Sequence, residues 1–101
     1  MNEIFITTPD GKQPVQAHVK GGLAIHRTRG QKHRRYTITH IPSGLSIATK
    51  ISSLGEARQK VEALLALWDF SKSEAEYMAE IFNANNGLME KMKEIIPREI
   101  Y

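Results

Sequence analysis

Apolar and polar residues alternate in short runs over the first half of the chain and recur at three- and four-residue spacings over the second. Alternation sends successive side chains to opposite faces of a strand, whereas the longer spacing draws an apolar stripe along a helix. "EIFITT" and "QPVQAHV" flank "PDGK", where Pro9 presets φ and Gly11 supplies the positive φ that closes a turn, so residues 3–19 predict a hairpin. In its second arm Val15, Ala17 and Val19 alternate with Gln16, His18 and Lys20, the pattern of a half-buried strand.

After Gly21 and Gly22, "LAIHRTR" sets Leu23 and Ile25 on one face and Ala24, His26 and Thr28 on the other. "RRYTITHI" alternates Tyr36, Ile38 and His40 with Thr37, Thr39 and Ile41, and "PSG" turns the chain into "LSIATKI", with Leu45 and Ile47 inward. Three short strands on tight connections predict an antiparallel meander. On this register His40 lies on the core face. That predicts a buried histidine with a hydrogen-bond partner, unless the register slips by one residue at Ile41.

The period changes at "SSLGEARQKVEALLALWDF". Ser53 followed three residues later by Glu56 forms a capping box, and Leu54, Ala57, Val61, Leu64, Leu65 and Trp68 share one helical face. A second helix opens on Ser71 with Glu74 or Ser73 with Glu76, carries Ala75, Met78, Ala79 and Phe82 on one side, and stops at Asn85-Asn86-Gly87. "LMEKMKEII" predicts a last short helix with Leu88, Met92, Ile95 and Ile96 aligned, ended by Pro97. The fold class is therefore α+β. An N-terminal hairpin and a three-stranded meander form an antiparallel sheet packed on about three C-terminal helices, because a one-sided sheet and a one-sided helix each need the other.

Length and composition agree with this outline. The 101 residues suit a single domain, β-rich over 1–52 and helical over 53–101, and 41% hydrophobic residues are enough for one modest core. The absence of cysteine removes disulfides, thiolate metal sites and thiol nucleophiles, and suits a reducing cytoplasm. No apolar run approaches the roughly 20 residues of a membrane span, and the first residues lack the pattern of a secretion signal, so the expected location is cytoplasmic, away from membranes.

Charge sharpens the picture. Residues 1–50 hold eight Lys and Arg against Glu3 and Asp10, a net +6, whereas residues 51–101 hold six against nine acids, a net −3. Five of the eight, Arg27, Arg29, Lys32, Arg34 and Arg35, fall within nine positions at the tip of the predicted hairpin. Cations beside phosphates release condensed counterions, and a two-stranded ribbon is thin enough to enter the major groove of DNA. His33 lies at the same tip, and Thr37 and Thr39 are expected on the outer sheet face, with His26, Thr28, Ser46 and Lys50 extending that surface. The blander alternative is a solvated hairpin whose charges keep sheet edges from pairing with other chains.

Other chemistry finds little support. The histidines 18, 26, 33 and 40 lack grouped carboxylates, so neither a metal nor a cofactor is expected. The serines sit in turn or cap contexts, Glu56 is a cap partner, and no nucleophile or phosphate-cradling motif occurs, so no catalytic residue is assigned and the protein is not expected to be an enzyme. Tyr77, Ile81 and Met89 on the later helices offer either core packing or a surface for a homodimer.

From Leu23 to Leu67 the succession of strand, basic tip, strand, "PSG" turn, strand and capped helix resembles the three-stranded-sheet-plus-helix DNA-binding domains of phage and transposon tyrosine integrases. That resemblance implies a sheet in the major groove, with Arg27, Arg29, Lys32, Arg34 and Arg35 on phosphates and Thr37 and Thr39 on the exposed face. "SSLGEA" stands where the family usually has an aromatic, Thr and a basic residue before Glu-Ala. "YTITHIPSGLSI" is also similar to a segment of small uncharacterised phage and plasmid proteins, which implies a mobile-element origin. The expectation is a small nucleic-acid-binding protein directed at duplex DNA. The alternative is a non-enzymatic interaction module or inhibitor of a host protein, of the anti-defence kind.

Overall fold

The computed structural model describes residues 2–28, 35–81 and 88–95. Five strands, β1 (Asn2–Thr8), β2 (Gly11–Lys20), β3 (Leu23–Arg27), β4 (Tyr36–His40) and β5 (Leu45–Ile51), are followed by three helices, α1 (Leu54–Leu65), α2 (Glu74–Ile81) and α3 (Leu88–Ile95). The strands lie in the order β1-β2-β3-β4-β5 and every neighbouring pair is antiparallel. This is the α+β arrangement that the two periodicities predict.

β2 changes partner partway along. Residues 11–17 pair with β1, and His18, Val19 and Lys20 pair with Ile25, Ala24 and Leu23 of β3. The β1–β2 hairpin can therefore leave the plane of the meander and curl across one of its faces. The Thr7 N–H donates to the Gly44 carbonyl at 2.7 Å, and the Thr7 hydroxyl donates to the Ser43 carbonyl at 3.0 Å. Lys12 Nζ donates to the same carbonyl and to the Thr7 hydroxyl. Gly44 has φ +72, and a Cβ there would lie 2.8 Å from Thr7 Oγ1, so the turn between β4 and β5 accepts the hairpin tip only because it has no side chain.

Two apolar clusters follow from the curl. On one face Leu23, Ile25, Ile38, Ile47 and Ile51 of the sheet meet Ala57, Val61 and Leu64 of α1, and Phe70, Tyr77, Leu88 and Met92 close the cluster. On the other, Ile4 and Ile6 of β1 pack with Ala17 and Ala24. Leu45 is half-buried and Ile47 is buried, while Val19, expected on the buried side of its strand, is 40% exposed.

β5 departs from simple alternation because its register against β4 shifts twice, between Tyr36 and Ile38 and between Ile38 and Thr39. Ile47 and Ala48 both enter the larger cluster, and Lys50 takes the left-handed φ of 58°. Such bulges re-aim side chains, and here Thr49 is turned inward next to Thr37.

α1 and α2 start where the caps predict. Ser53 Oγ accepts the Glu56 N–H at 3.1 Å, and Ser73 Oγ accepts the Glu76 N–H at 3.3 Å, which selects Ser73 over Ser71 as the second cap. Asp69 instead accepts the Ser71 N–H and hydroxyl, and those bonds hold its carboxyl below the usual carboxylate range. α1 ends at Leu65, so Trp68 packs from the following turn. In α2 the inward side is Tyr77 with Met78 and Ile81, whereas Ala75 and Ala79 are exposed; the expected stripe through those alanines is rotated. Phe82, Asn85, Asn86, Gly87, Ile96 and Pro97 lie outside the described residues.

The rotation follows from His40. Its ring is fully buried, with centroid 4.2 Å from that of Tyr77. His40 Nε2 lies 3.1 Å from the Lys72 carbonyl, which can only accept, so Nε2 carries the proton and Nδ1 accepts from Ser43 Oγ at 2.8 Å. The expected buried, partnered histidine is present, and the β3–β4 register runs unbroken to Leu23 opposite His40. An aromatic side chain buries far more area than alanine, so Tyr77 rather than Ala75 or Ala79 determines which side of α2 faces in. Burial also pushes the Tyr77 hydroxyl up to about 12.

Two substitutions test the backbone argument. Gly22 has φ +86 and a Cβ there would lie 2.3 Å from the Phe70 carbonyl oxygen, so Gly22→Ala is expected to cost about 3 kcal/mol or more in urea unfolding. An unchanged midpoint would contradict the close approach of the two chains. Lys50→Gly should raise stability by about 0.5–1 kcal/mol, because glycine takes the left-handed conformation without steric cost.

Candidate nucleic-acid interface

The basic hairpin is formed by β3 and β4, paired from Leu23 opposite His40 to Arg27 opposite Tyr36. Pairing continues one step further, since the Thr28 N–H donates to the Arg35 carbonyl at 2.8 Å. Arg27 is exposed and Arg35 half-buried, on opposite strands at the end of this ladder. The six residues that join Thr28 to Arg35 include Arg29, Lys32, His33 and Arg34, which lie outside the described residues. Of the expected phosphate contacts, then, Arg27 and Arg35 have defined positions, and both belong to the end of the hairpin.

The expected outer face is corrected. Thr37 is 4% exposed and Thr39 is fully buried, so neither forms an open surface beside the arginines. His26 is buried with them and Thr28 is half-buried, while Ser46 and Lys50 of that expected surface face solvent. The cause is the curled hairpin together with the bulge in β5. Alternation identifies the face opposite the helix but does not reveal that the chain folds back over it.

Hydrogen bonds run across this buried face. Thr28 Oγ1 lies 2.8 Å from Thr37 Oγ1, which lies 3.1 Å from Thr49 Oγ1, linking β3, β4 and β5. His26 Nδ1 is 3.0 Å from the Arg27 carbonyl and therefore donates, which leaves Nε2 to accept from Thr39 Oγ1 at 2.7 Å. Among the described residues no buried side-chain nitrogen or oxygen lacks a partner. A buried hydroxyl without a partner costs about 1–3 kcal/mol, so this arrangement supports the hairpin base rather than offering free donors to a ligand.

One feature beside the hairpin has no counterpart in the sequence pattern. Continuing the β2–β3 register would set Gln16 opposite Arg27, but Gln16 pairs with Glu3 of β1 instead. A cleft of about 400 Å³ opens there, lined by Val15, Gln16, His18, Ile25, His26, Arg27, Tyr36 and Leu54. Tyr36 packs against the core as expected and also reaches this cleft. The cleft depends on a change of strand partner, which no local spacing announces.

The described part of α2 and α3 offers less surface than the sequence suggests. Tyr77 is buried, and Met78, Ile81 and Ile95 pack against the large cluster. The exposed large apolar side chains among the described residues are Phe5 and Val19, on the other side of the chain's organisation, in β1 and β2. No helix is long and apolar enough to cross a membrane among the described residues, and no three of His, Asp and Glu are grouped there as metal ligands.

The two buried histidines predict an acid sensitivity. Burial holds the imidazoles of His26 and His40 below the ordinary value of 6.5, against the opposing effect of their backbone hydrogen bonds. The unfolded chain takes up protons before the folded one, so their contribution is complete above about pH 6.5 and is lost as pH falls from there toward the lowered folded values. Urea midpoints should fall over that window, and less steeply in His26→Gln. A midpoint that holds or rises on acidification from neutral would contradict this account.

No protein-family model, curated protein sequence or solved structure matches the chain.

Proposed function

We propose that the protein binds the phosphate backbone of nucleic acid, duplex DNA in particular, through the basic end of the β3–β4 hairpin. What carries the reading is the pair Arg27 and Arg35, on opposite strands at the end of a hydrogen-bonded ladder, with Arg29, Lys32 and Arg34 in the six residues between Thr28 and Arg35. A hydrogen-bonded ladder lowers the ordering cost of presenting Arg27 and Arg35, and each phosphate contact releases counterions. The sheet face beside the hairpin is buried and its hydroxyls are already bonded to one another. Contact is therefore with backbone phosphates, and Thr37 and Thr39 act from within by fixing the strands.

Binding to a duplex should weaken steeply with salt. The slope of log affinity against log salt concentration is expected to fall by about 0.9 for each arginine removed, hence by about 2 in the double variant Arg27→Ala, Arg35→Ala. Fluorescence anisotropy over a salt series measures this. A double variant with unaltered slope and affinity removes the hairpin end from the interface.

A further inference from the structure

Below the hairpin the surface is grooved along α1. A second cavity, about 450 Å³, adjoins the cleft at Arg27, and the two share His18 and Ile25. Leu54, Arg58, Val61 and Glu62, at helical spacing along one side of α1, form one wall of the combined groove. The opposite wall is β2, including His18 and Lys20. The groove exists because β2 presents polar residues on the helix side of the sheet and diverges from β3 beyond Ile25.

The lining is uneven in charge. Arg27 and Arg58 are both exposed, one in each cavity, while the ion pair between Lys20 and Glu62 leaves those two charges balanced. The combined groove is thus cationic over an apolar floor that includes Leu23, Ile25 and Val61. Tyr36 and His18 add flat rings to its lining.

We propose that this groove holds an unpaired nucleic-acid strand continuing from the backbone bound at the hairpin. The inference rests on the reading above, because Arg27 belongs both to the hairpin end and to the groove. An unpaired strand alternates anionic phosphates with bases whose π-faces are free to stack on aromatic side chains. Phosphates meet Arg27 and Arg58, and a base stacks on Tyr36. In a duplex the bases are already stacked within the helix, so the half-buried Tyr36 adds nothing to the binding of paired DNA. An acidic peptide would satisfy the arginines without gaining from Tyr36, and the dependence on that ring separates the two occupants.

The test compares a blunt duplex with the same duplex extended by a short thymidine overhang, using fluorescence anisotropy at fixed salt. The wild-type chain is expected to favour the overhang by about 5-fold or more, the effect of stacking one base. Tyr36→Leu, which keeps apolar volume against the core, and Arg58→Ala, at an exposed helix position, should each erase most of that preference. Both should leave blunt-duplex affinity within about twofold, as neither Tyr36 nor Arg58 is among the phosphate contacts proposed at the hairpin end. In Arg58→Ala the salt slope should fall by about 0.7 for the overhang alone. Equal binding of both substrates by the wild type, or variant losses equal on both, overturns the groove proposal and leaves the hairpin reading intact. Binding of neither substrate overturns both.

Discussion

A strand that bonds one neighbour over its first seven residues and another over its last three is free to bend between the two stretches. Sheets twist in any case, and a change of partner within β2 lets the twist become a fold of one hairpin over the meander. The hairpin carries Ile4 and Ile6 to the face opposite α1, where they cover Ala24. The same divergence parts β2 from β3 beside Arg27 and leaves the cleft under the basic end. Cover on one side and an opening on the other are thus two results of one pairing geometry.

The buried polar ladder gains its meaning from that cover. On an open sheet, Thr28, Thr37 and Thr49 would bond water and contribute little to register. Under the hairpin, each oxygen depends on its neighbours, so a slip of any strand would strand several buried groups at once. His26 ties this ladder to the end of β3 through the Arg27 carbonyl and to β4 through Thr39. The region that carries the cations is in this way braced from behind by polar bonds, while the apolar cluster under α1 braces the other face.

Much of the architecture was legible in residue order because each element carries its own local signal. The switch of period near Ser53, the capping serines and the turn glycines identify the sheet, the helices and the joins between them. Even His40 was legible, since its place in the alternation sets it inward with Ile38. What the pattern left open concerns contacts between elements. Alternation gives two faces to β4 without saying that both are buried, and α2 offers alanine and tyrosine stripes whose choice depends on stacking with a residue far off in sequence. The cationic end of the hairpin is a sequence feature, whereas the groove beside it arises only from the way β2 divides its pairing.

The contact of Thr7 with the β4–β5 turn has a kinetic side. Neighbouring strands are joined by short connections and pair locally, whereas 36 positions separate Thr7 from Ser43. Loops of a few residues close quickly, and contacts between distant segments follow once the intervening chain is ordered. On that ordering the hairpin is expected to latch onto a meander that has already formed. Interactions made after the transition state govern the rate of opening more than the rate of folding. The glycine at the turn, by admitting the latch, sets chiefly how long the covered sheet stays closed before Ile4, Ile6 and the threonine ladder meet water.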